Sequence, residues 1–267
     1  MRPLAATGSP WVPAPAAAAG RNSALLPAAP GAFTLAPVNR AFAPPAKPSP
    51  DSLAVGALLT ALVALGQIST SIYLPSLPSL VGELATTPER VNLTLSLSLL
   101  GFAVGQLIYG PLSDRFGRRP VLLAGLALYL ASTVACSFAG SIDALIVGRV
   151  LQGMTACCGP VLGRAIVRDV HGPDRSAKVL AYMGVAFAIS PAVAPMIGGY
   201  LQIWFGWRAA FLFLAAVGTV LLIAASTFLA ETNSRPNLRA LDVKGMAISY
   251  LTLLSLRAYH GYTLAVA

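Results

Sequence analysis

Charge is scarce in this sequence. Asp, Glu, Lys and Arg make up 10% of its 267 residues against 56% hydrophobic ones, and the mean hydropathy is +0.73. Soluble globular domains carry about 25% charged residues, so an ordinary soluble domain is excluded, and the chain is too long to be one buried helix. Cysteine is nearly absent. Cys136, Cys157 and Cys158 all lie in apolar segments, and an odd number with two adjacent offers neither a disulfide framework nor metal-ligand spacing. They read as small packing residues. No nucleophile–base pair, metal cluster or phosphate-cradling glycine loop stands out, which argues against an enzyme and against a bound metal or cofactor. The formal charge of +9 raises nucleic acid as a partner, but the basic residues sit in short loops between apolar runs. Recognition of nucleic acid needs them on one face of a soluble fold, so no such partner is expected.

Acids are missing from the first 50 residues, which hold 11 of the 21 prolines, many alanines, and only Arg2, Arg21, Arg40 and Lys47 as charges. Proline at that density opposes helix and sheet alike, so residues 1–50 are expected to be a disordered extension. A cleaved signal peptide is the competing reading for Ala14 to Ala19, but Pro10, Pro13 and Pro15 interrupt the apolar core such a peptide requires.

What the chain has in abundance is long apolar runs. Six follow Asp51, approximately Leu53–Leu74, Val91–Tyr109, Pro120–Phe138, Ala144–Val167, Val179–Ile203 and Ala209–Leu229, and five of them contain no charged residue. A bilayer core of about 30 Å needs about 20 apolar residues in a helix. In lipid such runs must be helical, because backbone groups find no water and the runs are twice the length of a barrel strand. Basic residues concentrate in alternate loops: Arg115, Arg118 and Arg119 after the second run, Arg168, Arg175 and Lys178 after the fourth, Arg235, Arg239, Lys244 and Arg257 after the sixth. The other loops hold Arg90 beside Glu83 and Glu89, Asp143, and Arg208. By the positive-inside rule both ends of the six-helix unit (51–232) are expected to be cytoplasmic. Residues 233–267 are expected to form a linker helix on the membrane surface and then, from Gly261, the first seven residues of another apolar run.

Four sets of residues carry more than solvent preference. The run Gly110-Pro111-Leu112-Ser113-Asp114-Arg115-Phe116-Gly117-Arg118-Arg119-Pro120 joins the second and third spans. Gly110 and Gly117 are expected to allow close helix approach and a tight turn, and Asp114 to face a helix N-terminus and pair with Arg118. With Arg115 and Arg119 this forms a charged latch suited to a conformational gate; the plainer reading is a loop that only fixes topology. In the fourth span Arg149 is expected to face the bundle interior, with Gln152 on nearly the same face and Gly153 beside it, because a lipid-facing arginine at mid-bilayer costs at least ~2.5–3.5 kcal/mol. Snorkelling to the outer interface is the alternative, and for Arg164 it stands level with function. In the fifth span Ser190, Ala194 and Gly198 recur at intervals of four, with Pro191, Pro195 and Gly199 between and after them, which points to close helix contact and a kink. Finally Gln67, Thr70, Ser71 and Tyr73 line a substrate pocket or bond within the bundle. His171 and His260 read as surface histidines.

The hairpin resembles the cytoplasmic loop signature of the major facilitator superfamily, which falls between its second and third helices. Leu145 to Gly153 is similar to the family's fourth-helix pattern, and Ser190 to Gly199 resembles the antiporter motif of its fifth helix. With Tyr73-Leu74-Pro75-Ser76-Leu77-Pro78 closing the first span and Gly206-Trp207-Arg208 opening the sixth, residues 53–267 resemble the Bcr/CflA branch of drug:proton antiporters. The resemblance implies an all-α membrane protein, the amino-terminal six-helix bundle of a twelve-helix fold, ending as a seventh helix begins. It implies multidrug or small-molecule efflux across the bacterial inner membrane by proton-coupled alternating access, with the proton gradient as energy source and no cofactor. The implied partners are the lipid bilayer, a small-molecule substrate and a carboxy-terminal six-helix half. Arg149, Gln152 and Gly153 take an implied role in proton coupling. One departure stands out: many relatives carry an acid two places before the tyrosine of the first helix, where this chain has Ser71, and none of the six runs contains Asp or Glu. Two rival readings are a non-transporting membrane protein that binds a partner through its half-interface, and an inactive fragment.

Overall fold

A computed structural model of the chain describes residues 52–171, 173–233 and 237. The expected extension over 1–50, the expected linker helix and seventh span, and His260 lie outside these residues. All regular structure described is helical: α1 (Leu53–Ser71), a 3₁₀ turn (Leu74–Ser76), α2 (Leu77–Glu83), α3 (Pro88–Phe116), α4 (Arg118–Ser137), α5 (Ile142–Ala156), α6 (Cys158–Val170), α7 (Pro173–Phe205) and α8 (Arg208–Phe228). They make six stretches long and apolar enough to cross a membrane, one for each expected run: Leu53–Glu83, Pro88–Phe116, Arg118–Ser137, Ile142–Val170, Asp174–Phe205 and Arg208–Phe228.

Local sequence accounts for the boundaries. Ser52 caps α1 by accepting from the Val55 amide, and Ser141 caps α5 by accepting from Ala144, with Asp143 in the first turn. Proline ends α1: Pro75 has no N–H to offer the Ser71 carbonyl four residues back. The chain then makes one 3₁₀ turn and restarts at Leu77, so the first stretch continues to Glu83, beyond the Leu74 expected from hydropathy. Proline also divides the fourth span, expected as one helix. Pro160 cannot bond the Ala156 carbonyl, and the helix breaks at Cys157 into α5 and α6. Pro191 and Pro195, by contrast, are carried inside a continuous α7.

The helices pack chiefly as α3 on α5, α4 on α5 and α8, and α1 on α6 and α7. Leu59, Leu62, Leu122, Leu126, Leu145, Trp207 and Phe211 are fully buried. Close packing is set by glycine where backbones meet. A Cβ on Gly153 of α5 would run into the Ser98 carbonyl of α3, and one on Gly198 of α7 into the Ile72 carbonyl at the end of α1. The three cysteines are free and buried, as packing residues should be.

Candidate functional site

One large side chain in the core is not apolar. Arg149, two turns into α5, is 1% exposed, and its guanidinium lies 4.2 Å from the ring centre of Tyr73 and 5.9 Å from that of Phe211. Nη1 donates to the Gln152 side-chain carbonyl at 2.5 Å and to the Ser69 backbone carbonyl at 3.1 Å. Gln152 in turn donates to Thr133 Oγ1 at 2.9 Å, which ties α5 to α4. Ser69 and Tyr129 share a 2.6 Å bond, as do Tyr73 and Thr94 at 2.8 Å, so α1, α3, α4 and α5 all enter one polar network. Arg149 Nε and Nη2 are buried without a hydrogen-bond partner among the described residues, and Arg149 has no ion-pair partner among them. The arginine faces the interior and does not snorkel. Tyr73, read either as pocket lining or as bonding within the bundle, is fully buried under this guanidinium; Ser71 is buried beside it, while Gln67 and Thr70 are half-buried.

The glycine–arginine hairpin is more helical than its sequence suggests. α3 runs through Phe116, α4 begins at Arg118, and Gly117 alone makes the turn at φ 98° and ψ 152°, which a side chain would strain. Gly110 lies inside α3 with open space where a Cβ would sit, so it does not mediate the close approach expected of it. Arg118 pairs with Asp114 at 2.5 Å, as expected, and also with Asp169 at the end of α6 at 2.9 Å. Asp114 does not face the N-terminus of α4. That position belongs to Glu231, just past α8, whose carboxylate accepts from the Arg118 amide at 2.9 Å and the Arg119 amide at 3.1 Å. The Arg119 guanidinium donates to the Ser226 carbonyl of α8, and Arg115 stacks on its neighbour Phe116. Asn233 donates to the carbonyls of Ser113 and Asp114. Asp169 and Glu231 were not singled out by the sequence. The available signal was their position, since each is an acid at the hairpin-side edge of an apolar span.

The opposite end of the bundle has its own latch. The Trp207 indole donates to Glu83 at 2.8 Å, Arg208 approaches the same carboxylate at 3.5 Å, and Arg90 pairs with Asp143.

A cavity of about 360 Å³ opens between α1, α3, α6 and α7, toward the hairpin end. Its walls include Val63, Phe102, Gln106, Arg164, Arg168 and Phe187. Arg164 bends back to donate to the Pro160 carbonyl at 2.8 Å. At 1.5 Å rise per residue, Arg164 lies about 9 Å and Gln106 about 15 Å inside the ends of their helices. Gln67, Thr70, Ser71 and Tyr73 are not among its walls. In α7, Ser190 and Ala194 are buried with Gly198 against the bundle, whereas Pro191 is exposed, Pro195 and Gly199 half-buried.

Residues 59–258 match the family described as Major Facilitator Superfamily. The chain belongs to that superfamily. It is 36% identical over 222 residues to the uncharacterized MFS-type transporter YdgK of Bacillus subtilis, a match covering 81% of this chain and 54% of that protein. It is 32% identical to multidrug resistance protein D of Escherichia coli, covering 78% and 52%, and 33% identical to the bicyclomycin resistance protein homolog of Haemophilus influenzae, covering 77% and 52%. The resistance proteins among these relatives agree with the Bcr/CflA-like branch that its motifs resemble. The chain spans about half the length of the curated relatives it matches. Among solved structures it shares its fold with the human organic anion transporter MFSD10 (TM-score 0.61, 23% identity, 73% of this chain and 52% of that one) and with a XylE variant (TM-score 0.59, 17% identity, 67% and 44%). The six helices are thus the amino-terminal bundle of a major facilitator fold, a multi-pass membrane protein in a family of transporters.

Proposed function

We propose that this major facilitator bundle is one wall of a small-molecule efflux transporter, working by proton-coupled alternating access with a second six-helix half in the bacterial inner membrane. The observation that carries the reading is the cavity beside α6. Arg164 and Gln106 stand inside apolar spans yet are exposed on the wall of a cavity, and charged groups within a span face a bundle interior or a water-filled cavity far more often than lipid. They belong on a face that meets water, substrate or another half. Relatives named for multidrug and bicyclomycin resistance support a drug-like cargo. In this reading Asp114, Arg118, Asp169 and Glu231 hold the inner gate, and Arg149 supplies a fixed buried charge that biases protonation nearby. Ser71 stands where many relatives carry an acid, so the second half supplies the group that titrates.

The test is energy-dependent extrusion from cells lacking their own pumps. The chain alone should insert and extrude nothing, whereas joined to the second half of the Haemophilus relative it should extrude, and Asp114→Asn should then cut extrusion at least tenfold with unchanged membrane abundance. Extrusion by the 267-residue chain alone would overturn the one-wall reading, and a fully active Asp114→Asn fusion would reduce the hairpin to a topology signal.

A further inference from the structure

We propose that the cavity between α1, α3, α6 and α7 binds organic anions, specifically compounds with an aromatic body and a carboxylate. This rests on the transport-wall reading and adds to it the charge of the cargo.

The cavity has the size of a small-molecule pocket and two kinds of wall. Phe102 and Phe187 offer apolar and aromatic surface, with Phe187 41% exposed and so free to cover a ring. Arg164 and Arg168 are four residues apart and therefore stand on one face of α6. Both are exposed, and neither has an ion-pair partner among the described residues. That sets them apart from Arg90, Arg118 and Arg208, each of which is paired with an acid. The acid adjacent to Arg168, Asp169, is already held by Arg118. With its Nε bonded to Pro160, Arg164 keeps its two terminal nitrogens for a ligand, and a guanidinium edge matches a carboxylate in shape as well as in charge.

Among the described residues no carboxylate lines the cavity, so a cationic ligand would meet two like charges and no counter-charge from them. The adjoining groove along α1 and α7 has the same sign, with Arg175 and Lys178 among its walls. A positive approach of this kind raises the local concentration of anions. The sequence as a whole agrees, because none of the six apolar runs contains Asp or Glu.

Three dansyl probes with one fluorophore separate the possibilities: dansylglycine (a carboxylate), its neutral amide, and cationic dansylcadaverine. Each is titrated against the chain in phosphatidylcholine nanodiscs, with empty discs subtracted. Dansylglycine should bind saturably and about tenfold more tightly than the amide, the low end for charge-assisted hydrogen bonds in a water-accessible site, with dansylcadaverine weakest. Arg164→Gln with Arg168→Gln should lower dansylglycine affinity to that of the amide and leave the amide unchanged. Loss of amide binding too would mark a misfolded variant, and Arg164→Lys with Arg168→Lys, which keeps the charges, then decides by retaining the preference. Arg208→Gln at the other end of the bundle should change nothing. Equal affinities, a preference for dansylcadaverine, no saturable dansylglycine binding, or a double Gln variant that keeps the preference would each overturn the proposal. So would phosphatidylglycerol in the disc abolishing dansylglycine binding, which would assign the cavity to a lipid headgroup. A cation preference would leave the transporter reading standing and reverse only the charge of its cargo.

Discussion

At the scale of single residues, the chain concentrates its risk in Arg149. A buried guanidinium is tolerated only when hydrogen-bonded, and here two acceptors and two aromatic rings share that task. Gln152 is the critical neighbour, because its carbonyl serves Arg149 while its amide binds Thr133. Replacing Gln152 by Leu should destabilise the chain by about 2 kcal/mol, since it leaves a charged donor short of an acceptor. Gln152→Glu should retain stability, as a carboxylate accepts from Arg149 and from the Thr133 hydroxyl together. Thermal denaturation of the chain in detergent micelles distinguishes them, and equal behaviour of the two variants would show that Arg149 does not depend on this acceptor. That Arg149 turns inward was legible in the sequence, because one arginine in an apolar helix has few places to go. That Tyr73 covers it was not, since the ring comes from a segment about 75 residues earlier in the chain and only packing brings the two together.

At the scale of elements, glycine positions separate packing from conformation. Gly153 sits where α5 meets the α3 backbone, so Gly153→Ala should force the helices apart and destabilise by about 1–3 kcal/mol, and Gly153→Leu by more. Gly110 has open space around it inside α3, so Gly110→Ala should be neutral or stabilise by up to about 1 kcal/mol. Unfolding midpoints of the two variants in micelles test the contrast, and similar losses at both positions would refute it. The hairpin teaches a related lesson. Its length and charges were readable from residues 110–120, but the carboxylates that hold it include Asp169 and Glu231, supplied by the ends of α6 and α8. Proline had local consequences that hydropathy could not resolve. Pro160 divides the fourth span because its ring opposes the Ala156 carbonyl, whereas Pro191 and Pro195 stay within a single helix.

At the scale of the whole molecule, the two described basic loops, Arg115 to Arg119 and Arg168 to Lys178, lie at one end of the spans. Reporter fusions after Phe116 and Asp174 should read cytoplasmic and one after Ser141 external. An external signal at Asp174 would contradict the orientation. α7 leaves most of its surface uncovered by the described residues, exposing Tyr182, Ile189, Met196 and Tyr200, which suits contact with lipid and with a second half.

The sequence by itself determined the solvent, the number of spans and the family, because hydropathy, helix length and loop charge are properties of consecutive residues. It also located the hairpin and the inward arginine, whose cost in lipid admits few placements. Tertiary structure alone decided what each polar group meets: Tyr73 beneath Arg149, Glu231 at the start of α4, and Arg164 beside Phe187 across a cavity. These contacts join residues distant in the chain, so their energies depend on how helices cross, and one-dimensional periodicity carries no record of that.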